Sequence, residues 1–261
     1  MLELNKIHQG DCLEVMLQIP DKSIDMILCD LPYGTTACKW DTVIPFEPLW
    51  KQYKRIIKDR GAIVLTASQP FTTVLINSNI KNYRCCWYWE KSKAAAFALA
   101  KIQPLRVVEE VVVFSYGKPK YNPQMTKLEN PYKRDFRGNK SKSETTFLSS
   151  QRKNIVEYTH LYPRNLLYGA TDGDKRVHPT QKPVALFKYL VKTYTNEGDL
   201  VLDNCIGSGT TAIACINTKR NYIGIEKEPK YVKIAKKRIK EKEKENNELI
   251  HFQYKTKTSD G

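Results

Sequence analysis

Leu200-Val201-Leu202-Asp203-Asn204-Cys205-Ile206-Gly207-Ser208-Gly209-Thr210-Thr211 runs from an apolar strand through a glycine pair into a helix over 212–217, and Tyr222-Ile223-Gly224-Ile225-Glu226 follows as a second apolar strand. Strand, tight turn, helix, strand is a βαβ unit, and it predicts a mostly parallel sheet. Glycine lets the backbone turn sharply and pass close to a ligand. Each strand ends in an acid, Asp203 and Glu226, and an acid at the second tip can accept hydrogen bonds from ribose hydroxyls. The dinucleotide pattern G-x-G-x-x-G is not completed, because Ala212 stands where the third glycine would be. The loop therefore need not hold a pyrophosphate, and two nearby carboxylates suit a cationic nucleoside better than an anionic one.

Working outward, the same strand-and-tip pattern occurs near the N-terminus. Ile24-Asp25-Met26-Ile27-Leu28-Cys29 reads as a buried strand, and Asp30-Leu31-Pro32-Tyr33-Gly34 sits at its C-terminal tip. The acid can accept a hydrogen bond from an amino group, and the backbone around a proline can offer a second acceptor in a fixed direction. The tyrosine can stack on a flat ring. Together they can hold a planar base by its exocyclic NH2. An Asp-initiated turn containing Pro is the plainer reading of these residues taken alone.

Other segments complete the α/β pattern. Residues 7–10 read as a short strand ending at Gly10-Asp11, and 12–17 as a helical turn. Leu49, Trp50, Tyr53, Ile56 and Ile57 fall at helical spacing within 46–57; Gly61 is expected to stop that helix before a strand over 62–66. A helix over 71–80 and strands over 83–89 and 107–116 follow. After His178-Pro179-Thr180-Gln181-Lys182-Pro183 a helix carries Leu186, Tyr189, Leu190, Val191 and Tyr194. A lysine-rich helix is expected over 231–246 with a frayed tail after 250. Trp40, Trp87 and Trp89 could stack on a ligand or wedge, with core packing the plainer reading.

Composition narrows the partners. The chain has 261 residues and 41% hydrophobic content, enough for one large α/β domain with an insertion. It contains no apolar run of membrane-spanning length and no signal-peptide pattern, so a cytoplasmic location is expected. Seven cysteines without C-x2-C spacing give no zinc or disulfide framework, and reduced thiols are expected. The formal charge is +15. Residues 117–192 hold sixteen Lys and Arg against six Asp and Glu, so ten of those net charges lie in under a third of the chain. Such clustering favours a polyanionic partner such as nucleic acid. Within it, 125–177 is polar and poorly periodic, and reads as a loop-rich insertion or small subdomain.

These motifs, in this order, resemble the β-class DNA amino-methyltransferases that use S-adenosylmethionine (AdoMet). The resemblance covers about 1–124 and 178–245. It implies a doubly wound, mostly parallel sheet of the seven-stranded methyltransferase type, circularly permuted so that the catalytic motif precedes the cofactor motif. A catalytic domain over 1–124 and 178–261 would carry a target-recognition insertion over 125–177. The departures are Leu31, where the family usually has a first proline, and Asn204-Cys205-Ile206, where it commonly has Pro-Phe after the acid.

The resemblance also implies roles. Asp30, Leu31, Pro32 and Tyr33 would be catalytic. Asp203, Cys205, Gly207, Ser208, Gly209 and Thr210 would hold the methionine end of AdoMet, and Glu226 its ribose. Asp11 and Cys12 would take its adenine, with an ordinary helix cap the alternative for Asp11. Thr180, Lys182 and Pro183 would line the cofactor's other end. Lys133, Arg134, Arg137, Lys140, Arg152, Lys153 and Arg164 would contact DNA phosphates or base edges. The expected reaction is methylation of adenine N6 in a flipped-out base of double-stranded DNA, without a metal. Cytosine N4 and RNA adenine are the alternatives. A homodimer and a cognate restriction nuclease stand as further expected partners, and a membrane does not.

Overall fold

Met26 and Leu28 belong to one buried cluster, Ile27 and Cys29 to another. A strand whose two faces are both covered reads as a continuous apolar run, and this is why 26–29 shows no polar alternation. In the computed structural model, residues 2–35, 41–95, 97–135, 155–169 and 181–258 are described, with side chains as far as residue 246. The chain forms two compact units: Met1–Asn122 with Asn165–Gly261, and Pro123–Arg164.

The larger unit holds an eight-stranded sheet. Its strands are β1 (Lys6–Gln9), β2 (Ile24–Asp30), β3 (Ile57–Ala67), β4 (Tyr83–Ala95), β5 (Arg106–Phe114), β8 (Leu166–Tyr168), β9 (Leu200–Asp203) and β10 (Asn221–Glu226). The order across the sheet is β1-β10-β9-β2-β3-β5-β4-β8. All neighbours are parallel except β5, which runs antiparallel to both β3 and β4. One face packs under α1 (Cys12–Val15), α2 (Phe46–Ile56) and α3 (Phe71–Ser78), through Val15, Leu49 and Leu75. The other packs under α4 (Val184–Tyr194), α5 (Thr210–Asn217) and α6 (Pro229–Thr258), through Leu186, Ala212 and Ala235. Each fully buried Leu or Ile on these faces contributes roughly 1.5–3 kcal/mol. Among the described residues no helix is long and apolar enough to cross a membrane.

The strand order has a functional consequence. From β2 the chain moves to β3 on one side and returns later to β9 on the other. Such a reversal opens a crevice outside the carboxyl ends of the strands. The tips of β2 and β9 flank it, so Asp30 and Asp203 stand on adjacent strands although 200–203 is encoded far from 24–30. Strand β2 precedes the glycine turn in chain order.

Several expectations change. Helix α2 passes directly into β3 at Ile57, and Gly61 lies inside that strand rather than ending the helix. A Cβ at residue 61 would sit 2.5 Å from Ile57 Cγ1 and 3.0 Å from the Asp25 carbonyl oxygen, so the glycine answers a close approach of β3 to β2. The sheet has eight strands instead of seven because β8 joins the outer edge of β4. Residues Asn165–Tyr168 thus belong to the main unit, although they fall within the expected 125–177 insertion. Helix α6 continues to Thr258, past the expected fraying point.

The smaller unit is less loop-like than expected. β6 (Thr126–Asp135) and β7 (Ile155–Leu161) form an antiparallel pair, with Tyr132 stacked on Tyr158 at 5.1 Å. Pro131 and a register shift between Lys127 and Tyr132 disguise β6 in the sequence. A pair of strands with little buried surface has few apolar positions to reveal it. Trp87 and Trp89 are buried in the core of the larger unit, as their plainer reading had it, and Trp40 lies outside the described residues.

Candidate active site

Asp30 ends β2 with its carboxylate held by three side chains from three elements. Tyr33 Oη donates to Oδ1 at 2.7 Å, the Thr66 hydroxyl on β3 donates to the same oxygen, and Lys182 Nζ lies 2.9 Å from both Oδ1 and Oδ2. Oδ1 is therefore saturated, whereas Oδ2 has one bonded donor and keeps a lone pair. The Tyr33 ring stacks on Phe71 of α3, with centroids 5.0 Å apart. Burial, reinforced by the Asp30 charge, keeps the Tyr33 hydroxyl well above the usual tyrosine range. The loop that follows is pinned by Asp41, which accepts the Gly34 and Thr35 N–H groups at 2.9 Å each.

Lys182 lines the cleft, and its ammonium sits on Asp30, 3.4 Å from Tyr33 Oη and 3.4 Å from Glu109 Oε2. It is only 7% exposed. Burial opposes its charge, but Asp30, then Tyr33 and Glu109, outweigh burial and hold its pKa well above the lysine range. Pro183 caps α4 and is buried, and it does not line the cleft. Thr180 lies outside the described residues.

Across the crevice, Glu226 accepts the Gly207 N–H at 2.9 Å and the Glu228 N–H at 2.8 Å. Burial raises its pKa, against these backbone hydrogen bonds. Gly209 N–H donates to the Ile206 carbonyl, and Gly209 has φ +87°, with Ala235 of α6 3.2 Å from where a Cβ would stand. Two of the turn's N–H groups are thus spent inside the protein. An anion would find few donors here, whereas a cation finds carboxylates; that set fits AdoMet and does not fit a pyrophosphate. Asp203 accepts the Thr211 hydroxyl and the Cys205 N–H, and burial, opposed by these bonds, pushes its pKa up to about 7. Ser208 is fixed by Arg238, which donates to its carbonyl at 2.6 Å and its hydroxyl at 2.9 Å. Asp11 caps α1 through the Leu13 N–H and pairs with Lys227 at 3.2 Å, while Cys12 is buried beside it.

Both kits line one cleft of about 770 Å³, which takes in Asp11, Asp30, Tyr33, Asp203, Ser208 and Glu226. Thr66, Phe71 and Glu109 also belong to the site and carried no sequence signal beyond strand or helix. In the smaller unit, Lys133 and Arg134 are exposed on β6, and Arg164 is exposed beyond β7. Arg137, Lys140, Arg152 and Lys153 lie outside the described residues.

The fold and the paired acid tips define a mixed α/β methyltransferase. The solved M1.HpyAVI–SAM complex has the same architecture, with a TM-score of 0.61 over 90% of this chain and 98% of that one at 24% identity. The chain belongs to the N6/N4 DNA methylase family, whose model matches residues 24–237. Among its relatives, the Type II methyltransferase M2.MboI of Moraxella bovis is 28% identical over 90% of this chain and 87% of its own length. The DNA adenine methyltransferase YhdJ of Escherichia coli K12 is 27% identical over 91% of this chain and 83% of its own.

Proposed function

We propose that the protein is a site-specific DNA methyltransferase that moves the methyl group of AdoMet to N6 of adenine, with the target base turned out of the duplex. The observation that carries this reading is the pairing of Asp30 and Tyr33 with an acid-lined glycine turn in one crevice. The adenine relative YhdJ supports the choice of base.

Bound AdoMet supplies a methyl group on a sulfonium, which needs no metal or base to become electrophilic. Glu226 and Asp11 accept from its nucleoside, and Asp203 and the turn hold its cationic end. The protein's remaining work is on the amine. Asp30 accepts one N6–H through the free lone pair of Oδ2, and the Leu31 carbonyl accepts the other. The nitrogen lone pair would then leave conjugation with the ring and be aimed at the methyl, whose bond to sulfur would break as the N–C bond forms, with S-adenosylhomocysteine as the leaving group. Phe71 packs on one face of Tyr33, and in this reading the base stacks on the other. Asp30 need not be a strong base, because the amine proton becomes acidic only as the N–C bond forms. Positioning and charge matching supply most of the rate. The basic residues Lys133, Arg134 and Arg164 hold the DNA in this reading, together with Arg137, Lys140, Arg152 and Lys153, and the protein works in the cytoplasm.

The test is transfer from labelled AdoMet to duplex DNA, followed by digestion and separation of the nucleosides. N6-methyladenine is expected. N4-methylcytosine would overturn the base, and labelling of RNA alone would overturn the substrate.

A pH effect follows from Asp203. Its ordinary pKa is 3.8 and its folded value is about 7. Between these values the folded protein holds a proton that the unfolded chain has lost, so this group's contribution to stability falls as pH rises through that window. A cation bound beside Asp203 favours the ionised form. AdoMet binding near pH 6 is therefore expected to release a proton, and affinity to rise by up to about tenfold per pH unit until it levels off above about 7. Calorimetry in buffers of different ionisation enthalpy counts that proton; the same heat in every buffer would separate Asp203 from the ligand.

A further inference from the structure

Lys182 stands between two carboxylates. Its Nζ is 2.9 Å from both oxygens of Asp30 and 3.4 Å from Glu109 Oε2. Glu109, on β5, is bonded through its other oxygen to Lys91 at 2.9 Å. Its Oε2 is buried and accepts no hydrogen bond among the described residues. A buried acceptor left without a donor is costly and uncommon. Here it lies 3.4 Å from an ammonium whose hydrogen bonds go to Asp30 and Tyr33, at the edge of the cleft that takes in Asp30, Tyr33, Lys182 and Glu109 alike.

The reaction puts that arrangement in conflict with itself. The target amine must donate to Asp30, and it becomes cationic as the new N–C bond forms. An ammonium already on that carboxylate competes for its lone pairs and repels the developing charge. The same ammonium is useful beforehand, because it balances Asp30 while no base is present. The lysine stem has enough rotatable bonds to cover the short distance to Glu109. The geometry points to Glu109 as a positioning residue for methyl transfer: when the target base reaches Asp30, Glu109 takes over the Lys182 ammonium and frees Asp30 for the amine. This rests on the methyltransferase reading and adds a part to it.

The test compares four proteins on one duplex substrate: wild type, Glu109→Gln, Glu109→Asp and the double variant Glu109→Gln/Lys182→Met. Glu109→Gln should lower kcat by about 10–100-fold, since a small misplacement at the reacting centre has that effect. Its Kd for AdoMet should stay at the wild-type value, which also reports that the variant is folded. Glu109→Asp keeps the charge and should fall between the two. The double variant removes both the ammonium and the need to move it, and should recover kcat by about tenfold over Glu109→Gln. Simple structural damage would instead accumulate. A double variant no faster than Glu109→Gln, or a Glu109→Gln enzyme with the kcat of wild type, would overturn the proposal. The functional reading is judged separately by the activity of wild type on the same duplex, so the two can fail independently.

Discussion

Asp30→Ala is expected to lower kcat on duplex DNA by about 10²–10³-fold while leaving the Kd for AdoMet within about twofold. The reason lies in what each side chain touches. In the proposed reaction Asp30 carries the acceptor that draws the amine lone pair out of conjugation, and the side chains hydrogen-bonded to it bring donors. Tyr33 and Thr66 bring hydroxyls that donate to Asp30, and Lys182 brings only donors. The glycine turn, by contrast, is organised by Glu226, Ile206 and Arg238 through Gly207, Gly209 and Ser208. Removing one partner of a buried ion pair also weakens the fold. Asp30→Asn, which keeps the volume, provides the second variant, and AdoMet affinity shows whether either protein is folded. A variant that binds AdoMet and still transfers methyl groups at the wild-type rate would remove Asp30 from the chemistry.

Glu226→Ala is expected to raise the Kd for AdoMet by about 10–100-fold, with kcat at saturating AdoMet much less affected. Glu226 does two things at once. It offers acceptors at the tip of β10, and it fixes the start of the glycine turn through the Gly207 N–H. A hydrogen bond to a charged group contributes about 1.5–3 kcal/mol, and each 1.4 kcal/mol is about tenfold in affinity. Glu226→Gln keeps one acceptor oxygen and should lose less than Glu226→Ala. Equal affinity for wild type and Glu226→Ala, measured by calorimetry, would take Glu226 out of the nucleoside site.

The two kits could be read from the sequence because their chemistry is local. Asp203, the glycine pair and Glu226 follow one another along a single βαβ unit, and each announces itself by turn chemistry or by the end of an apolar run. Asp30 to Tyr33 likewise form one contiguous tip. Alternate residues of 26–29 enter opposite clusters because the strand is buried on both sides, and the unbroken apolar run there signals this directly.

What escaped the sequence was non-local. β8 is three residues long and is a strand only because β4 offers it an edge. Lys182 follows a motif that suggests a cofactor contact, yet its ammonium lies on an acid 152 residues away in the chain. Thr66 and Glu109 look like ordinary strand residues until β3 and β5 take their places beside β2.

The sequence therefore specified which groups the protein owns: its strands and helices, its acid tips and the glycine turn between them. Periodicity and turn chemistry act over a few residues, and a linear reading captures them. The folded sheet settled which groups meet. It set Asp30 beside the glycine turn by reversing strand order at β2, and it gave Asp30 its lysine and that lysine a second carboxylate. Those pairings depend on neighbours across the sheet, and long-range packing chooses them.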